Sequence, residues 1–193
     1  MLEFLVASVW MLVKGAGIGF AVAAPVGPIG MLCIRTTLER GRVAGFCAGL
    51  GAAVADTIFA GIGAYGINLI GGWLNAERFW FSIGGGIFLI AFGVHLARKE
   101  PNLANSESRE VPKGLLADFA MTLLLTLANP TTILSFAAVF AGLSGLIGFS
   151  LEAVPALLIG VFLGSAGSWL TLSGIVGLIR HRIDHATMVW INR

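Results

Sequence analysis

Asp56 is the acidic residue that lies deepest in an apolar stretch of the sequence. It belongs to the segment AAVADTIFAG, about 13 residues after Val43. An ionised carboxylate inside a membrane is costly unless it faces water, pairs with a cation or takes up a proton. We therefore interpret Asp56 as a candidate binding site for a proton or a cationic solute. The alternative is a structural acid that is hydrogen-bonded internally or caps a broken helix.

Two prolines interrupt the first apolar stretch. The segment AAPVGPIG contains Pro25 and Pro28, with Gly27 and Gly30 beside them. Proline removes a backbone donor and clashes with the preceding helical turn, so we expect the helix to break here. Carbonyl groups freed inside a membrane are tolerated where they are buried in protein or line a wet cavity. Pro25, Gly27 and Pro28 therefore form either a substrate-facing site or a structural kink.

A second polar break is predicted near the middle of the fourth apolar stretch. The segment LANPTT contains Asn129, Pro130, Thr131 and Thr132. The threonine hydroxyls can satisfy freed backbone groups or bind a ligand. Proline breaks in the first span of each half of a chain are expected of an inverted repeat with its binding site between the halves. Asn129, Pro130 and Thr131 therefore join the candidate substrate-binding or proton-binding residues.

Other reactive side chains give weaker signals. Cys33 and Cys47 lack C-x-x-C spacing and are interpreted as small packing residues. His181 and His185 have the spacing of two metal ligands on a helix, but no further His or Glu completes a site, so we interpret them as surface residues. We expect no metal, no cofactor and no enzymatic activity.

Two polar residues of the second half leave alternatives open. Asp118 lies five residues after Lys113 and is interpreted as a residue near the cytoplasmic surface or as part of an inner vestibule. Trp169 lies inside the fifth apolar stretch, in GSAGSWLTLSG, where it is a candidate for facing a cavity.

The elements that must position these residues are membrane helices. Of the 193 residues, 57% are hydrophobic and 11% charged, and the mean hydropathy is +0.92, outside the usual range of soluble domains. The net charge of +2 gives no continuous basic surface for nucleic acid. The sequence predicts an all-α, polytopic membrane protein with one domain, 1–193, and five apolar stretches at 4–34, 43–74, 79–97, 115–145 and 153–179.

The distribution of Lys and Arg predicts the topology. Successive connections carry three basic residues in 35–42, one in 75–78, four in 98–114, none in 146–152, and two at Arg180 and Arg182. Because basic residues accumulate in cytoplasmic loops, the first, third and fifth connections are expected in the cytoplasm. The N-terminus is then outside.

The polar segment 98–114 divides the chain into two predicted half-repeats. The first, 1–97, has three apolar stretches, and the second, 115–193, has two, so the predicted inverted repeat is incomplete, 3+2 rather than 3+3. An odd number of spans makes the second half enter the membrane from the opposite side. Glycines four apart, as at Gly41, Gly45 and Gly49, indicate close helix packing, within the chain or in a homodimer.

Two long strings resemble a known family of membrane proteins. The string AAPVGPIGMLCIRTTLERGRVAGFCAGLGAAVADTIF resembles the N-terminal signature of the LysE family of amino-acid translocators, and LANPTTILSF resembles its second-half motif. The resemblance covers essentially the whole chain. It implies a carrier of the inner membrane that exports amino acids or similar small polar metabolites, coupled to protons. The implied functional positions are the intramembrane acid Asp56 and the proline motifs Pro25, Gly27, Pro28 and Asn129, Pro130.

The C-terminus departs from the family pattern. Members of the LysE family usually continue into a sixth membrane helix, which we expect to be absent here because the sequence stops at Arg193. The expected partners are therefore an amino acid or related solute, protons, membrane lipid and, if a second copy supplies the missing surface, a homodimer.

Two other functions stay open. A transmembrane thiol-based electron carrier would use Cys33 and Cys47, but both lie in the first half and 115–179 contains no cysteine, so a symmetric dithiol centre is not expected. A passive channel or a non-transporting scaffold would need no working transport cycle. Replacement of Asp56 by Asn separates these functions, because only a carrier should lose a pH-dependent flux.

Overall fold

The computed structural model describes residues 2–24, 27–76, 114–143 and 151–179, together with positions 83, 87, 90, 91 and 94. Regular structure in these residues is entirely helical, which confirms the all-α class. Pro25, His181, His185 and nearly all of the predicted linker lie outside the described residues. The helices are α1 (Leu2–Val22), α2 (Pro28–Arg40), α3 (Arg42–Ala76), α4 (Leu115–Leu127), α5 (Pro130–Leu143) and α6 (Val154–Ile179), with a 3-10 turn at Leu151–Ala153.

Several of these helices can cross a membrane. Three contain sufficiently long apolar segments, Leu5–Val22, Arg42–Gly66 and Val154–Ile179, and α4 and α5 together make a further candidate span that is bent by 62°. Ile83, Ile87, Ile90 and Val94 are helical, exposed and spaced as one helix face. Such apolar faces suit lipid, and the protein is a multi-pass membrane protein.

The first apolar stretch is divided into two helices, as its prolines predict. Helix α1 ends at Val22, and α2 begins with Pro28 at a position where the missing N–H costs no helical hydrogen bond. Gly27, which precedes it, has φ 116°, a conformation that side-chain-bearing residues rarely adopt.

Helix α2 continues further than the sequence analysis predicted. The stretch 35–42 was expected to be a connection, but α2 extends to Arg40 and leaves Gly41 as the single residue between α2 and α3. The Arg35 side chain pairs with Glu39 one turn later, at 2.7 Å, which supports the helix there. The reversal into α3 depends on Gly41, which has φ 97°.

Helices α1 and α6 pack with their backbones in contact. A methyl group added at Gly15 would overlap the carbonyl oxygen of Leu157, and one added at Gly160 would overlap that of Leu12. The same contact repeats four residues later at Gly19 and Gly164. These four glycines therefore allow two helices of the same chain to pack closely, rather than helices of two copies.

Helix α3 lies at the centre of the described bundle. It packs antiparallel to α6 over its whole apolar length, and the contacts join Arg42 to Gly177, Gly49 to Trp169, Asp56 to Ser165 and Gly61 to Leu158. It packs parallel to α4 and α5, and these contacts join Gly51 to Phe119, Phe59 to Phe136 and Gly63 to Phe140.

The described helix ends put the basic connections on one side. The end of α2, the start of α3, the start of α4 and the end of α6 all lie at the same end of the bundle, because Arg40 contacts α4 and Arg42 contacts α6. We call this the basic end. The described helix ends next to the first, third and fifth predicted connections therefore share a side, as the Lys and Arg counts predict. The division into half-repeats stays a prediction, because most of 77–113 lies outside the described residues.

Candidate functional site

Asp56 is buried between α3 and α6. Its side chain is 3% exposed, and the Ser165 hydroxyl of α6 donates a hydrogen bond to Asp56 Oδ2 at 2.6 Å. That length is typical of a hydroxyl that donates to a carboxylate. No Lys, Arg or His of the described residues forms an ion pair with Asp56. A polar partner 109 residues away therefore accompanies the acid in place of a cation.

Ser165 belongs to a polar face of α6. Ser165, Ser168 and Trp169 are all buried and lie three to four residues apart, so they share the face that packs against α3. The Ser168 hydroxyl is directed at the carbonyl oxygen of Ala23, at a long 3.5 Å, and Trp169 packs on Gly49. The indole N–H of Trp169 is buried without a hydrogen-bond partner. Trp169 therefore faces the interior of the bundle, and the predicted cavity beside it stays a prediction.

These serines behave differently from most hydroxyl groups in the described helices. A hydroxyl in a membrane helix usually donates to a carbonyl one turn earlier in its own helix. Ser165 and Ser168 instead reach to other helices, which marks the α6 face as a contact between elements. The side chains that bond within their own helix are Thr37, Thr57, Thr126, Ser135, Thr171 and Ser173.

The break between α4 and α5 is formed by Asn129 and Pro130. Helix α5 begins with Pro130, and the Asn129 side-chain oxygen accepts a hydrogen bond from the Thr131 backbone N–H at 3.1 Å. This is the geometry of an N-cap, which satisfies a donor at the start of the new helix. Asn129 and Thr131 are half-buried, whereas Pro130 is exposed. The predicted break is thus present, and its polar residues hold the bend.

Both helix breaks lie at the level of Asp56. Gly51 on α3 contacts Phe119 of α4, and Phe59 contacts Phe136 of α5, so the α4–α5 break lies at the height between them, where Asp56 is. The α1–α2 break is adjacent as well, since Ala23, the first residue after α1, lies against the α6 face one turn beyond Ser165. Gly27 and Pro28 follow directly and are exposed.

The sequence-predicted residues therefore form one level of the bundle, with the exception of Pro25, which lies outside the described residues. Ser165 and Ser168 are not among the residues predicted from the sequence. The available signal was two serines three residues apart in a helix without charged residues, but it does not reveal which helix they face.

Asp118 lies in a different place, near the basic end. It is 2% exposed, and Arg40 Nη1 donates to Asp118 Oδ1 at 2.6 Å, so Asp118 is buried in protein at this end of the bundle. That this end faces the cytoplasm stays a prediction. The ion pair joins the end of α2 to the first turn of α4. The vestibule interpretation stays a prediction.

The cysteines are both free thiols. Cys33 of α2 is buried in a small-residue core together with Ala23, Ala48 and Trp169, and Cys47 of α3 is partly buried. Burial among small apolar groups is the usual setting of a packing cysteine.

A bundle of membrane helices in which two helix breaks lie at the level of a buried carboxylate is typical of secondary transporters. The comparison with protein families agrees, because the model of the LysE type translocator matches residues 20–193. The chain therefore belongs to the LysE type translocator family, as its motifs indicate.

The chain is also similar to an individual membrane protein of Escherichia coli (strain K12). The uncharacterized membrane protein YahN is 27% identical to this chain over 109 residues, which cover 56% of the chain and 49% of YahN. The chain thus matches about half the length of this curated relative. No solved structure matches the chain.

Proposed function

We propose that this protein is a proton-coupled carrier that exports amino acids or similar small polar metabolites across the inner membrane, with the N-terminus outside. The observation that carries the proposal is the buried Asp56–Ser165 contact at the level of two proline-containing helix breaks. Membership of the translocator family supports the solute class.

Asp56 is the group to which we assign the coupling proton. A buried carboxylate that lacks a cationic partner among the described residues changes its charge most readily by taking up a proton. Its hydrogen bond comes from α6, whereas Asp56 itself is on α3. A change in the charge of Asp56 therefore changes the strength of the α3–α6 contact, since hydrogen bonds to ionised groups are roughly twice as strong as neutral ones.

The helix breaks supply the solute-binding groups of the proposal. An amino acid carries an ammonium and a carboxylate, and broken helices offer backbone carbonyl and N–H groups to both. Gly27 and Pro28 at one break, and Asn129, Pro130 and Thr131 at the other, are the residues assigned to this role, together with Pro25 from the sequence motif.

The test is counterflow of labelled amino acids in proteoliposomes, with and without an imposed pH gradient. The wild type is expected to take up one class of amino acid, driven by the gradient, and Asp56→Asn is expected to lose that dependence. Glu152→Gln is the matched control, because Glu152 is exposed at the opposite end of the bundle from Arg40. Undiminished gradient-driven uptake by Asp56→Asn would contradict the role of Asp56, and absence of uptake for every amino acid would contradict the carrier.

A further inference from the structure

A second group of buried polar atoms lies near the basic end, about two helical turns along α3 from Asp56. It surrounds a narrow pocket between α2, α3 and α4 that is closed in this structure. Three polar side chains line it, and each is at most 2% exposed. The lining residues are Leu32, Thr36, Ala48, Asp118, Met121 and Thr122.

Two of these polar groups have an unpaired atom. Asp118 Oδ2 and the Thr122 hydroxyl are both buried without a hydrogen-bond partner, although Asp118 Oδ1 accepts from Arg40. Thr122 is one turn after Asp118, so a bond to its own helix was available, as Thr126 makes with the carbonyl of Thr122. Unpaired buried polar atoms are rare, because each forfeits the hydrogen bonds it makes with water.

The unpaired atoms indicate which kind of ligand could form the missing hydrogen bonds with them. The Asp118 Oδ2 oxygen and the Thr122 hydroxyl are unpaired beside one small volume, which Thr36 also lines, and a primary ammonium group has three N–H donors and no acceptor. A divalent metal needs a larger set of oxygen ligands, and no group of three or more His, Cys, Asp or Glu occurs in the part of the chain that the structure describes.

We propose that Asp118, Thr122 and Thr36 form a binding site for a primary ammonium group at the basic end, which Arg40 keeps closed until the ammonium replaces its guanidinium on Asp118. The inference rests on the proposed function in one respect: the ammonium belongs to the transported solute. Under the proposed topology, this site is where the solute enters from the cytoplasm.

The exposure of the two side chains indicates that Arg40, and not Asp118, can move away from the ion pair. The Arg40 side chain is 28% exposed, whereas that of Asp118 is 1% exposed. Arg40 also directly precedes Gly41, the single residue between α2 and α3. Exchange of one cation for another keeps Asp118 paired throughout, which avoids the large cost of an isolated buried charge.

The site continues toward the helix break through the same face of α4. Asp118, Thr122 and Thr126 lie at intervals of four residues, all are buried, and Asn129 at the break follows within one turn. An ammonium group released from Asp118 therefore has polar side chains along α4 up to the level of Asp56.

The test measures thermal unfolding of the full chain in detergent by tryptophan fluorescence, with methylammonium chloride or tetramethylammonium chloride at equal ionic strength. Both cations carry one charge, but only methylammonium has N–H donors. At a methylammonium concentration about fivefold above its dissociation constant, we expect Tm to rise by about 2–4 °C more than with tetramethylammonium at the same concentration. Sodium chloride at the same concentration tests whether a bare monovalent cation suffices; an equal rise with sodium would overturn the ammonium assignment.

Two variants and one control locate the effect. Thr122→Val has nearly the same shape and removes only an unpartnered hydroxyl, so it should fold, and it is expected to abolish the difference between the two cations, as is Asp118→Asn. Thr171→Val, at an exposed hydroxyl on α6, should keep the difference. If Thr122→Val also keeps it, the proposed site is wrong.

Binding and transport separate the two proposals. If the wild type distinguishes methylammonium from tetramethylammonium but transports no amino acid, the ammonium site is supported and the carrier function is contradicted. If the wild type transports amino acids but the two cations have the same effect on Tm, only the ammonium site is contradicted.

Discussion

Gly160→Ala is expected to weaken the contact between α1 and α6, whereas Gly167→Ala on the same helix is expected to leave it intact. A methyl group at Gly160 would overlap the backbone carbonyl of Leu12, but at Gly167 it would meet no atom within 4 Å. Backbone atoms cannot turn aside as a flexible side chain can. The two helices must therefore separate in the first variant and not in the second.

The magnitude follows from the difference between the two variants. Both gain the same helix preference of alanine over glycine, about 0.5–1 kcal/mol, so this contribution cancels. Forcing an additional methyl group into a packed contact costs about 1–3 kcal/mol. For a chain of this size, that difference corresponds to a Tm of Gly160→Ala lower than that of Gly167→Ala by about 2–12 °C.

The assay is thermal unfolding of the purified variants in one detergent, followed by far-UV circular dichroism. A second matched pair tests the same contact from α1, because Gly15 faces Leu157 whereas Gly17 has open space. Gly15→Ala should be less stable than Gly17→Ala by a similar amount. Equal stability within both pairs would refute the backbone contact between α1 and α6.

Three further predictions concern the site and the topology. Ser165→Ala removes a hydrogen bond to a buried carboxylate, worth about 1.5–3 kcal/mol, and should lower gradient-driven uptake in proteoliposomes by about tenfold or more, whereas Thr171→Ala should not. Asn129→Ala should lower the free energy of unfolding by about 1 kcal/mol through loss of the cap, and Asn129→Asp should restore it; equal losses in denaturant titrations would count against the cap. Single cysteines at Leu115 and Glu152, in a chain with Cys33→Ser and Cys47→Ser, should react with an impermeant thiol reagent from opposite sides of the membrane, Leu115 from the cytoplasm. Reaction of both cysteines from one side would contradict the proposed topology.

The helix breaks could be predicted from sequence because their cause is local. Pro28 and Pro130 each begin a helix, and Asn129 caps the second, so residue type alone fixes where the chain changes direction. The burial of Asp56 was also predictable, because an acid in the middle of a spanning helix almost always faces the interior of the bundle or a water-filled cavity.

The partners of the buried acids could not be predicted, because they depend on how distant helices align. Ser165 reaches Asp56 only in the antiparallel register of α3 and α6, which a shift of one residue would remove. Arg40 reaches Asp118 only because α2 stays helical to its last residue and α3 then reverses at Gly41. From the sequence alone, Arg40 is expected in a connection, and Asp118 is expected near the cytoplasmic surface or in an inner vestibule, with no partner named for either.

Gly41 separates two basic residues that contact different helices. Arg40, before it, is tied to α4, and Arg42, after it, packs against Gly177 of α6. The close approach of Gly45 to Thr37 and Cys33 keeps α2 packed on α3 beside this turn. One short turn therefore places two positive charges at the same end of the bundle and connects α3 to both α4 and α6 there.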